Sequence, residues 1–469
     1  MGRAGSEIDP SHFSAMRTAS FICAILLSSF GLCAQSCFSV IHLGDSSSAG
    51  DGHSIFGTSY GYLLFSAEVD QNTGHTWLYT SRFDFEGEFI GGRTFAGPRN
   101  FDSGQVDCIA RAVNGEYLAA LSSFQSGTPD SLFLYRFNEA GDTLYTQFVS
   151  SEASRGVRDC ISLDEIGDWV CGWCTTSVDP VVDVACIAKY DQNGQEVVRR
   201  TWSLIDRFYT MAEMEDGHFL LGGGRSSSID RTVLIKVNSE GVEVWTRYHG
   251  GYASYSGASG HGTLMSNGNY LVPGSYLPID STDVIERCFA SLYCYSPEGD
   301  LLWRKDLLWG RLAVAVLSRP AGNGEYWVVG GYYQIPRDPD LAATIWRVNN
   351  DGDTLFTRKY WYYGGEESVN AASYGMDTTS DGGVIFTGLA REGFAGAEPY
   401  VQKTWILKLD QYGCLLPGCQ NVGVQDYEMA LTGALQLAPN PASERLSVQL
   451  QLPDGYRTEG GLQILLLDV

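Results

Sequence analysis

The chain repeats one pattern of polar and apolar positions along most of its length. Each copy opens with a polar turn that contains Gly and continues into a short aromatic and aliphatic run, as in "NGEYLAAL" from Asn114 and "DGHFLLGG" from Asp216. Seven copies occur, with turn glycines 50 to 58 residues apart: Gly61, Gly115, Gly167, Gly217, Gly268, Gly324 and Gly382. A repeat of this length predicts a structure built by stacking one small unit.

A second polar turn lies 24 to 31 residues after the first in each copy. It separates two segments of alternating polarity, as in "LIKVNSEGVEVWTRYHGG" from Leu234. Because Gly accepts the positive φ of a tight connection between twisted strands, both turns predict β-hairpins. Each unit then has four antiparallel strands. Seven such units predict an all-β, seven-bladed β-propeller over residues 36–419.

Two positions in the second strand of each unit are predicted to pack one blade on the next. Large side chains occupy the first position: Tyr117, Trp169, Phe219, Tyr270 and Tyr326. Apolar residues occupy the next position on the same face: Ala119, Cys171, Leu221, Val272 and Val328. An aromatic stripe can also serve as a ligand platform, but regular recurrence favours packing in the core.

The ends of the ring are predicted to meet in the seventh blade. The last copy runs from Gly413 into "CLLPGC" in place of an aromatic outer strand, whereas "CFSVIHLG" from Cys37 resembles the outer strands of other copies. We therefore expect Phe38 to Leu43 to complete the seventh blade, which removes an exposed sheet edge. Cys37 would then lie close to Cys414 or Cys419, and the pairing among these three cysteines stays open.

Residues 1–35 predict an N-terminal extension and a signal peptide. Arg17 precedes an apolar run from Phe21 to Cys33, and small residues follow, with cleavage expected after Ala34 or Gln35. A buried helix or a membrane anchor is the alternative, but the run is too short to cross about 30 Å of hydrocarbon. No other segment approaches transmembrane length. The residues before Met16 indicate an upstream choice of start codon.

Export would place the remaining cysteines in an oxidising compartment. Cys414 and Cys419 are candidates for a disulfide that closes a small loop. Cys171 and Cys174, in "CGWC", resemble a redox dithiol. Their flanks predict a strand, however, where an odd spacing directs the two side chains to opposite faces. We therefore interpret both as structural cysteines.

Charge and motifs exclude several classes of function. The net charge of -24 makes nucleic acid and anionic membrane surfaces poor partners. Asp-rich turns fail the calcium-loop frame, because Arg347 stands at the first ligand position before Gly352. The mature-chain histidines have no metal-ligand spacing and are expected to be solvated turn residues: His42, His53, His75, His218, His249 and His261. The sequence contains no nucleophile elbow and no P-loop. It therefore predicts no catalytic residue, no metal site and no cofactor.

Two families of propeller proteins resemble the repeats. Trp245 follows Gly241 by four residues and Trp303 follows Gly299 likewise, which resembles the PQQ-type repeat. The metal and quinone ligands of that family cannot be placed here, so a PQQ enzyme is not supported. The segments "SDGGVIFTG" and "TWILKLDQYG" are more similar to secreted Asp-Gly-Gly repeat proteins of gliding and periodontal-type gram-negative bacteria. Those chains pair a signal peptide with a C-terminal sorting domain.

The tail "LQLAPNPASERLSVQLQLPDG" resembles the first half of the type A sorting domain of the type IX secretion system. Pro439, Asn440 and Pro441 carry the resemblance, together with a strand from Arg445 to Leu452. It implies a linker at 420–434, an incomplete Ig-like β-sandwich at 435–469, and export and sorting machinery as partners. An ordinary loop and strand is the alternative. The family's later strands have no counterpart before Val469, so we expect a truncated domain.

These observations predict a secreted or outer-surface propeller, monomeric, that acts as a non-enzymatic binding or adhesion scaffold for a protein or glycan. The alternative is a propeller-type glycoside hydrolase or lyase with carboxylates in the central channel, which residues distant in sequence can build. A third interpretation is a purely structural envelope component. A genuine truncation of the tail would instead leave the protein in the periplasm.

Overall fold

A computed structural model of the chain describes the propeller and part of the tail. The described residues are 36–42, 48–70, 75–102, 109–112, 114–125, 128–149, 155–163, 167–178, 181–191, 193–214, 216–224, 232–249, 260–276, 288–310, 313–332, 342–360, 370–392, 401–416, 419, 435–438 and 447–450. The predicted signal peptide at 1–35 and the predicted linker at 420–434 lie outside them.

The described secondary structure consists almost entirely of β-strands. The first fifteen are β1 (Phe38–His42), β2 (Ser48–Thr58), β3 (Gly61–Asp70), β4 (Thr76–Phe83), β5 (Phe89–Asp102), β6 (Ile109–Arg111), β7 (Tyr117–Gln125), β8 (Thr128–Phe137), β9 (Thr143–Val149), β10 (Arg155–Leu163), β11 (Gly167–Val178), β12 (Val181–Tyr190), β13 (Glu196–Trp202), β14 (Arg207–Glu213) and β15 (Phe219–Gly224). The others are β16 (Thr232–Val237), β17 (Glu243–His249), β18 (Thr263–Leu264), β19 (Tyr270–Tyr276), β20 (Cys288–Tyr295), β21 (Leu301–Gly310), β22 (Ala313–Gly322), β23 (Glu325–Tyr332), β24 (Ala343–Asn349), β25 (Thr354–Tyr360), β26 (Asn370–Thr378), β27 (Val384–Glu392), β28 (Val401–Leu409), β29 (Leu435–Ala438) and β30 (Ser447–Leu450).

These strands form seven antiparallel blades, which confirms the predicted seven-bladed propeller. Blades 1 to 6 are β2–β5, β6–β9, β10–β13, β14–β17, β18–β21 and β22–β25, and blade 7 is β26–β28 with β1. Within each of blades 1 to 6 the strands follow one another in chain order from the inner to the outer edge. The tail contributes a separate two-stranded ribbon, in which β29 pairs with β30.

The outer strand of blade 7 comes from the opposite end of the chain. β1 pairs with β28, with Phe38 opposite Lys408. In blade 4 the corresponding outer-strand residue, Trp245, lies opposite Lys236. Phe38 therefore holds the position of Trp245, and the prediction that the N-terminal segment completes the seventh blade is confirmed for Phe38–His42. Leu43, its predicted last residue, lies outside the described residues.

The same hydrogen bond between a side chain and the backbone stabilises the second turn of every blade. In blade 4 the side-chain oxygen of Asn238 accepts the backbone N–H of Val242, four residues on, at 2.8 Å. Gly241, inside this turn, has φ 71°. The same bond recurs in all seven second turns, from the residues Asp84, Asn138, Asp191, Asn238, Ser296, Asn349 and Asp410. A side chain that caps the turn and a Gly that accepts the αL conformation together define the hairpin.

The core consists of seven apolar clusters, one between each pair of neighbouring blades. The cluster between blades 7 and 1 brings Phe38 of β1 together with Tyr62 and Ile406. The predicted packing positions are buried, as the analysis of the repeat expected: Tyr117, Trp169, Phe219, Tyr270, Tyr326, Ala119, Cys171, Leu221, Val272 and Val328. The aromatic stripe is therefore core and not a ligand platform.

A second contact between blades joins an outer-strand aromatic ring to the next blade's turn Gly. A Cβ added at Gly299 of blade 5 would lie 2.5 Å from the ring of Trp245 in blade 4. Trp303 lies against Gly352 and Phe356 against Gly413 in the same way. Trp245 and Trp303, the residues that resemble the PQQ-type repeat, therefore pack one blade on the next. At the ring closure, Phe38 lies against Gly87 of blade 1, where a Cβ would be 2.6 Å from its ring.

Two blades depart from the regular plan. β5 is 14 residues long, and its last residues, Asn100 to Asp102, pair with β7, so that blades 1 and 2 share one sheet. In blade 5 the inner strand β18 has only two residues. There His261 forms a parallel bridge to Leu317 of blade 6. His261 is buried, so the expectation that the histidines are solvated turn residues was wrong at this position.

His42 and His249 occupy equivalent positions at the ends of outer strands. The His249 ring packs on Tyr295 of blade 5, with centroids 4.9 Å apart. The His42 ring packs on Phe83 of blade 1 at 5.3 Å, and its Nε2 lies 3.0 Å from Ser81 Oγ. Burial lowers the pKa of both imidazoles. Each blade contact therefore favours the neutral ring.

We predict that Gly299→Ala lowers the free energy of unfolding by about 3 kcal/mol, because the methyl group meets the Trp245 ring and the backbone has a positive φ. Gly268→Ala is the matched control, since Gly268 has a similar φ of 81° and nothing lies within 4 Å of its added Cβ. It should cost only about 1 kcal/mol. Urea denaturation measures both, and equal losses would show that the ring contact is unimportant.

We predict that mild acid weakens the ring through His42. The unfolded histidine binds a proton near pH 6.5, whereas burial lowers the pKa in the folded chain. Stability is therefore fully present above about pH 6.5 and falls as the pH drops towards the folded pKa. Thermal unfolding at pH 7.5 and pH 5.5 should show a smaller loss for His42→Gln than for the unaltered chain. Identical losses would contradict a contribution from His42.

Candidate functional site

The inner strands of the blades surround the central channel of a propeller. β6, β22 and β26 end at Arg111, Gly322 and Thr378, next to the first turn of their blades. Many connections at the opposite face fall outside the described residues, including 225–231, 277–287 and 393–400. The candidate site is therefore built at the end of the channel where the first turns lie.

Asp377 of blade 7 is the centre of this site. Its Oδ2 accepts the backbone N–H of Gly57 in blade 1 at 2.9 Å. The same oxygen lies 3.1 Å from an amino nitrogen of Arg111 in blade 2. Its other oxygen, Oδ1, accepts the backbone N–H of Thr378 at 2.9 Å. One carboxylate thus links three successive blades.

Arg111 is held in place from both sides. Its guanidinium lies over the rings of Phe56 and Tyr117, with its central carbon 5.4 Å and 5.6 Å from their centroids. It also donates a hydrogen bond to the carbonyl of Gly57. A cation placed over aromatic faces is attracted by their negative π-clouds, and the planar guanidinium suits such stacking. Its N–H donors point at Asp377 and Gly57, so the arginine has a structural role in joining the blades.

The environment of Asp377 disfavours its charged form. Burial raises the pKa of this carboxyl, while Arg111, the Gly57 N–H and Arg319 of blade 6 act in the opposite direction, and burial prevails. A carboxyl with a raised pKa in a channel has the character of a general acid. Glycoside hydrolysis needs a second carboxylate beside it. No carboxylate is among the groups with the largest influence on this pKa in the described part of the chain.

A second titratable pair lies on the inner strand of blade 1. His53 Nε2 is 3.2 Å from Asp51 Oδ1. His53 falls at a register shift, where β2 passes from Gly52 to Ser54 against β3. Similar shifts occur in β10, β14, β22 and β26. Such bulges redirect side chains locally, so the inner strands share an irregularity next to the channel.

The sequence analysis missed a buried ion pair that recurs in several blades. Lys408 in blade 7 is fully buried, with its Nζ 2.9 Å from Asp381 Oδ2. Burial acts to raise the pKa of Asp381, but hydrogen bonds from Thr379 and Lys408 outweigh it and lower the pKa. Equivalent pairs are Arg136–Glu116, Lys236–Asp216 and Arg347–Glu325. A signal was present, because a basic residue, an apolar residue and a turn-capping residue recur before the second turns.

The cysteines at the closure lie together. Cys414 and Cys419 are at disulfide distance, with Cα atoms 5.7 Å apart. Cys37, which precedes β1, is half-buried and outside that bond. Cys171 is buried on β11, which agrees with the predicted strand, while the side chain of Cys174 lies outside the described part. Pro439, Asn440 and Pro441 also lie outside it.

The histidines of the predicted mature chain do not lie together at one site. His75 is exposed, His218 lies 3.0 Å from Asp216, and His249 Nε2 donates to the carbonyl of Gly299 at 3.0 Å. Among the residues that the structure describes, no group of three or more His, Cys, Asp or Glu side chains could hold a metal ion. Across the same residues, no helix has the length and apolar character needed to cross a membrane.

No protein-family model and no curated protein sequence matches the chain. Solved structures that are similar to it include two proteins of unknown function. A protein of unknown function from Bacteroides caccae shares 11% identity with a TM-score of 0.38, over 67% of this chain and 94% of that one. A protein of unknown function from Dyadobacter fermentans shares 11% identity with a TM-score of 0.39, over 79% of this chain and 97% of that one. The propeller assignment rests on the strand pairing itself.

We predict that Arg111→Gln lowers the free energy of unfolding by about 2 kcal/mol, because it leaves the half-buried Asp377 carboxylate without its cation. Adding Asp377→Asn should restore about 1 kcal/mol, since the uncompensated charge is then removed. Lys305→Gln is the matched control. Its partner Asp353 is 2.9 Å away and exposed, so the loss of this pair should leave stability nearly unchanged. Additive effects of the Arg111 and Asp377 changes would contradict the coupling.

Proposed function

We propose that this chain is an exported β-propeller that binds a protein or glycan and has no catalytic activity of its own. The observation that supports this most directly is the engagement of Asp377. Its hydrogen-bond and ion-pair partners, the Gly57 N–H and Arg111, belong to neighbouring blades. This carboxyl, whose pKa is raised by burial, therefore contributes to joining blades, as a rigid scaffold requires.

Export rests on the sequence. The signal-peptide pattern of residues 1–35 and the resemblance of 435–469 to a type A sorting domain support passage through the type IX secretion system. The Cys414–Cys419 bond is of the kind that persists in an oxidising compartment. On this proposal the propeller is displayed outside the cell, and the loops of one of its faces contact the ligand.

One specific observation favours a second candidate function. The raised pKa of Asp377 is what a general acid of a glycoside hydrolase or lyase needs. It would require a second carboxylate from loops outside the described residues. The two functions differ in what they predict for Asp377→Asn. This substitution keeps the shape of the side chain and removes its proton donor.

We predict that the chain, completed with the later strands of a type A sorting domain and produced in a bacterium with a type IX secretion system, reaches the outer surface without residues 1–35 and without the sorting domain. On an array of polysaccharides and host glycans it should bind without releasing reducing ends or unsaturated products. Asp377→Asn should bind as the unaltered chain does, because its partners are scaffold residues. Asp353→Asn, a change at an exposed acid, is the matched control.

Product release that Asp377→Asn abolishes and Asp353→Asn preserves would establish the hydrolase or lyase instead. Export is judged separately, by comparing the chain with a variant in which Pro439, Asn440 and Pro441 are all changed to Ala. Equal surface display of the two would contradict the sorting function of this segment. Retention of both in the periplasm would contradict export through this system.

A further inference from the structure

The closure of the ring brings together three cysteines that occupy defined positions of a regular outer strand. Phe38 pairs with Lys408 as Trp245 pairs with Lys236. Cys37, one residue earlier, therefore holds the position of Val244. Val244 is the extra residue at a register shift of β17. In blades 1 to 6 this position carries a half-exposed aliphatic residue: Ile90, Leu144, Val197, Val244, Leu302 and Leu355.

Compared with blade 4, Cys414 corresponds to a residue two positions before the one that corresponds to Cys37. It follows the turn residue Gly413 as Val242 follows Gly241. In a continuous strand, two such positions lie about 6–7 Å apart. A disulfide requires Cα atoms about 4.4–6.8 Å apart. From these corresponding positions we expect Cys37 and Cys414 at a separation near the one that a disulfide spans.

The backbone amide of Asp410 confirms that the two residues are neighbours. It donates to the carbonyl of Cys414 at 3.0 Å, and both the backbone and the charge of Asp410 are among the influences on the pKa of the Cys37 thiol. Asp410 Oδ1 also accepts the N–H of Cys414 at 2.8 Å. One turn residue therefore contacts both cysteines. Cys414 is meanwhile joined to Cys419, five residues away.

We propose that Cys37, Cys414 and Cys419 form a thiol–disulfide exchange site that converts a local disulfide into a covalent closure of the propeller. The Cys37 thiolate attacks Cys414 Sγ. A new bond forms between these two sulfurs, and the Cys414–Cys419 bond breaks. The electron pair leaves on Cys419 Sγ, which takes up the proton that Cys37 released. No external oxidant or reductant is needed, because one disulfide and one thiol are present before and after.

The two disulfide states differ in what they constrain. The Cys414–Cys419 bond closes a loop of five residues, which restricts only the turn where the chain leaves blade 7. A Cys37–Cys414 bond would close a loop that contains nearly every residue of the propeller. Constraining so long a loop restricts the unfolded chain far more. The exchange would therefore turn a ring held by noncovalent contacts into one that cannot open at its seam.

The attack should be slow at neutral pH and faster in mild alkali. Burial raises the pKa of the Cys37 thiol, with Lys408 opposing and Asp410 reinforcing the shift, and only the thiolate is a nucleophile. The step occurs within the chain, so it does not require that Cys414, which is buried, be reached by solvent. It is also independent of where the protein works, and purified chain is sufficient to test it.

The test follows the disulfides of the full chain at pH 6 and pH 8.5. Samples are quenched with acid, alkylated with iodoacetamide and mapped by peptide mass spectrometry. We expect alkylation at Cys37 to fall and alkylation at Cys419 to rise with time, faster at pH 8.5, while a Cys37–Cys414 peptide accumulates. Non-reducing gel electrophoresis should show a faster-migrating band, because the long loop makes the denatured chain more compact. Cys37→Ser should abolish both signals.

A second variant tests the geometry without the exchange. Cys419→Ser leaves Cys37 and Cys414 as thiols, and oxidised glutathione can accept their two electrons and yield two reduced molecules. We expect the faster band and an unfolding rate at least about tenfold slower after oxidation. The double variant Cys37→Ser, Cys419→Ser is the control. Absence of the Cys37–Cys414 peptide in both the unaltered chain and folded Cys419→Ser, or a Cys37–Cys419 link in its place, would overturn the proposal.

Discussion

The ring depends on one contact that recurs at four of its blade interfaces, in which an outer-strand aromatic ring lies against the next blade's turn Gly. The same Gly has a positive φ and no space for a side chain, as at Gly299 beside Trp245. The turn requires a residue that accepts a positive φ, and the packing requires a residue without a side chain. Only Gly meets both requirements. The blades can approach closely only because their hairpins are sharp. Local conformation and assembly of the ring therefore depend on each other.

At the seam this contact is made by a residue from the other end of the chain. Phe38 lies against Gly87, and Trp405 Nε1 donates to Ser39 Oγ at 2.9 Å. The link from Asp377 to Arg111 crosses the same region, from blade 7 to blade 2. The polar groups of the candidate site lie on the inner strands of blades 7, 1 and 2, whereas β1 and β28 close the ring at the outer edge of blade 7.

Much of the fold could be predicted from the sequence, because the turn glycines and alternating strands are local features of the chain. The closure could be predicted as well, since "CFSVIHLG" carries the outer-strand pattern. The candidate site could not. Arg111 and Asp377 are 266 positions apart, and neither belongs to a motif. Their meeting follows from the ring geometry, which places equivalent strand ends around one axis. The buried Lys408–Asp381 pair was missed although its pattern recurs, because charged residues on strands normally indicate a solvated face.

The continuous sheet of blades 1 and 2 has a mechanical consequence. Asn100 to Asp102 of β5 pair with Ser122 to Phe124 of β7, so separating these two blades means breaking backbone hydrogen bonds in addition to side-chain packing. Elsewhere in the described part of the ring, backbone contacts between blades are shorter, as at the bridge between His261 and Leu317. Blades 1 and 2 should consequently behave as one cooperative block. When the ring is strained or partly unfolded, the interfaces beside this block should separate first. Blades 1 and 2 should then be the last part of the propeller to unfold.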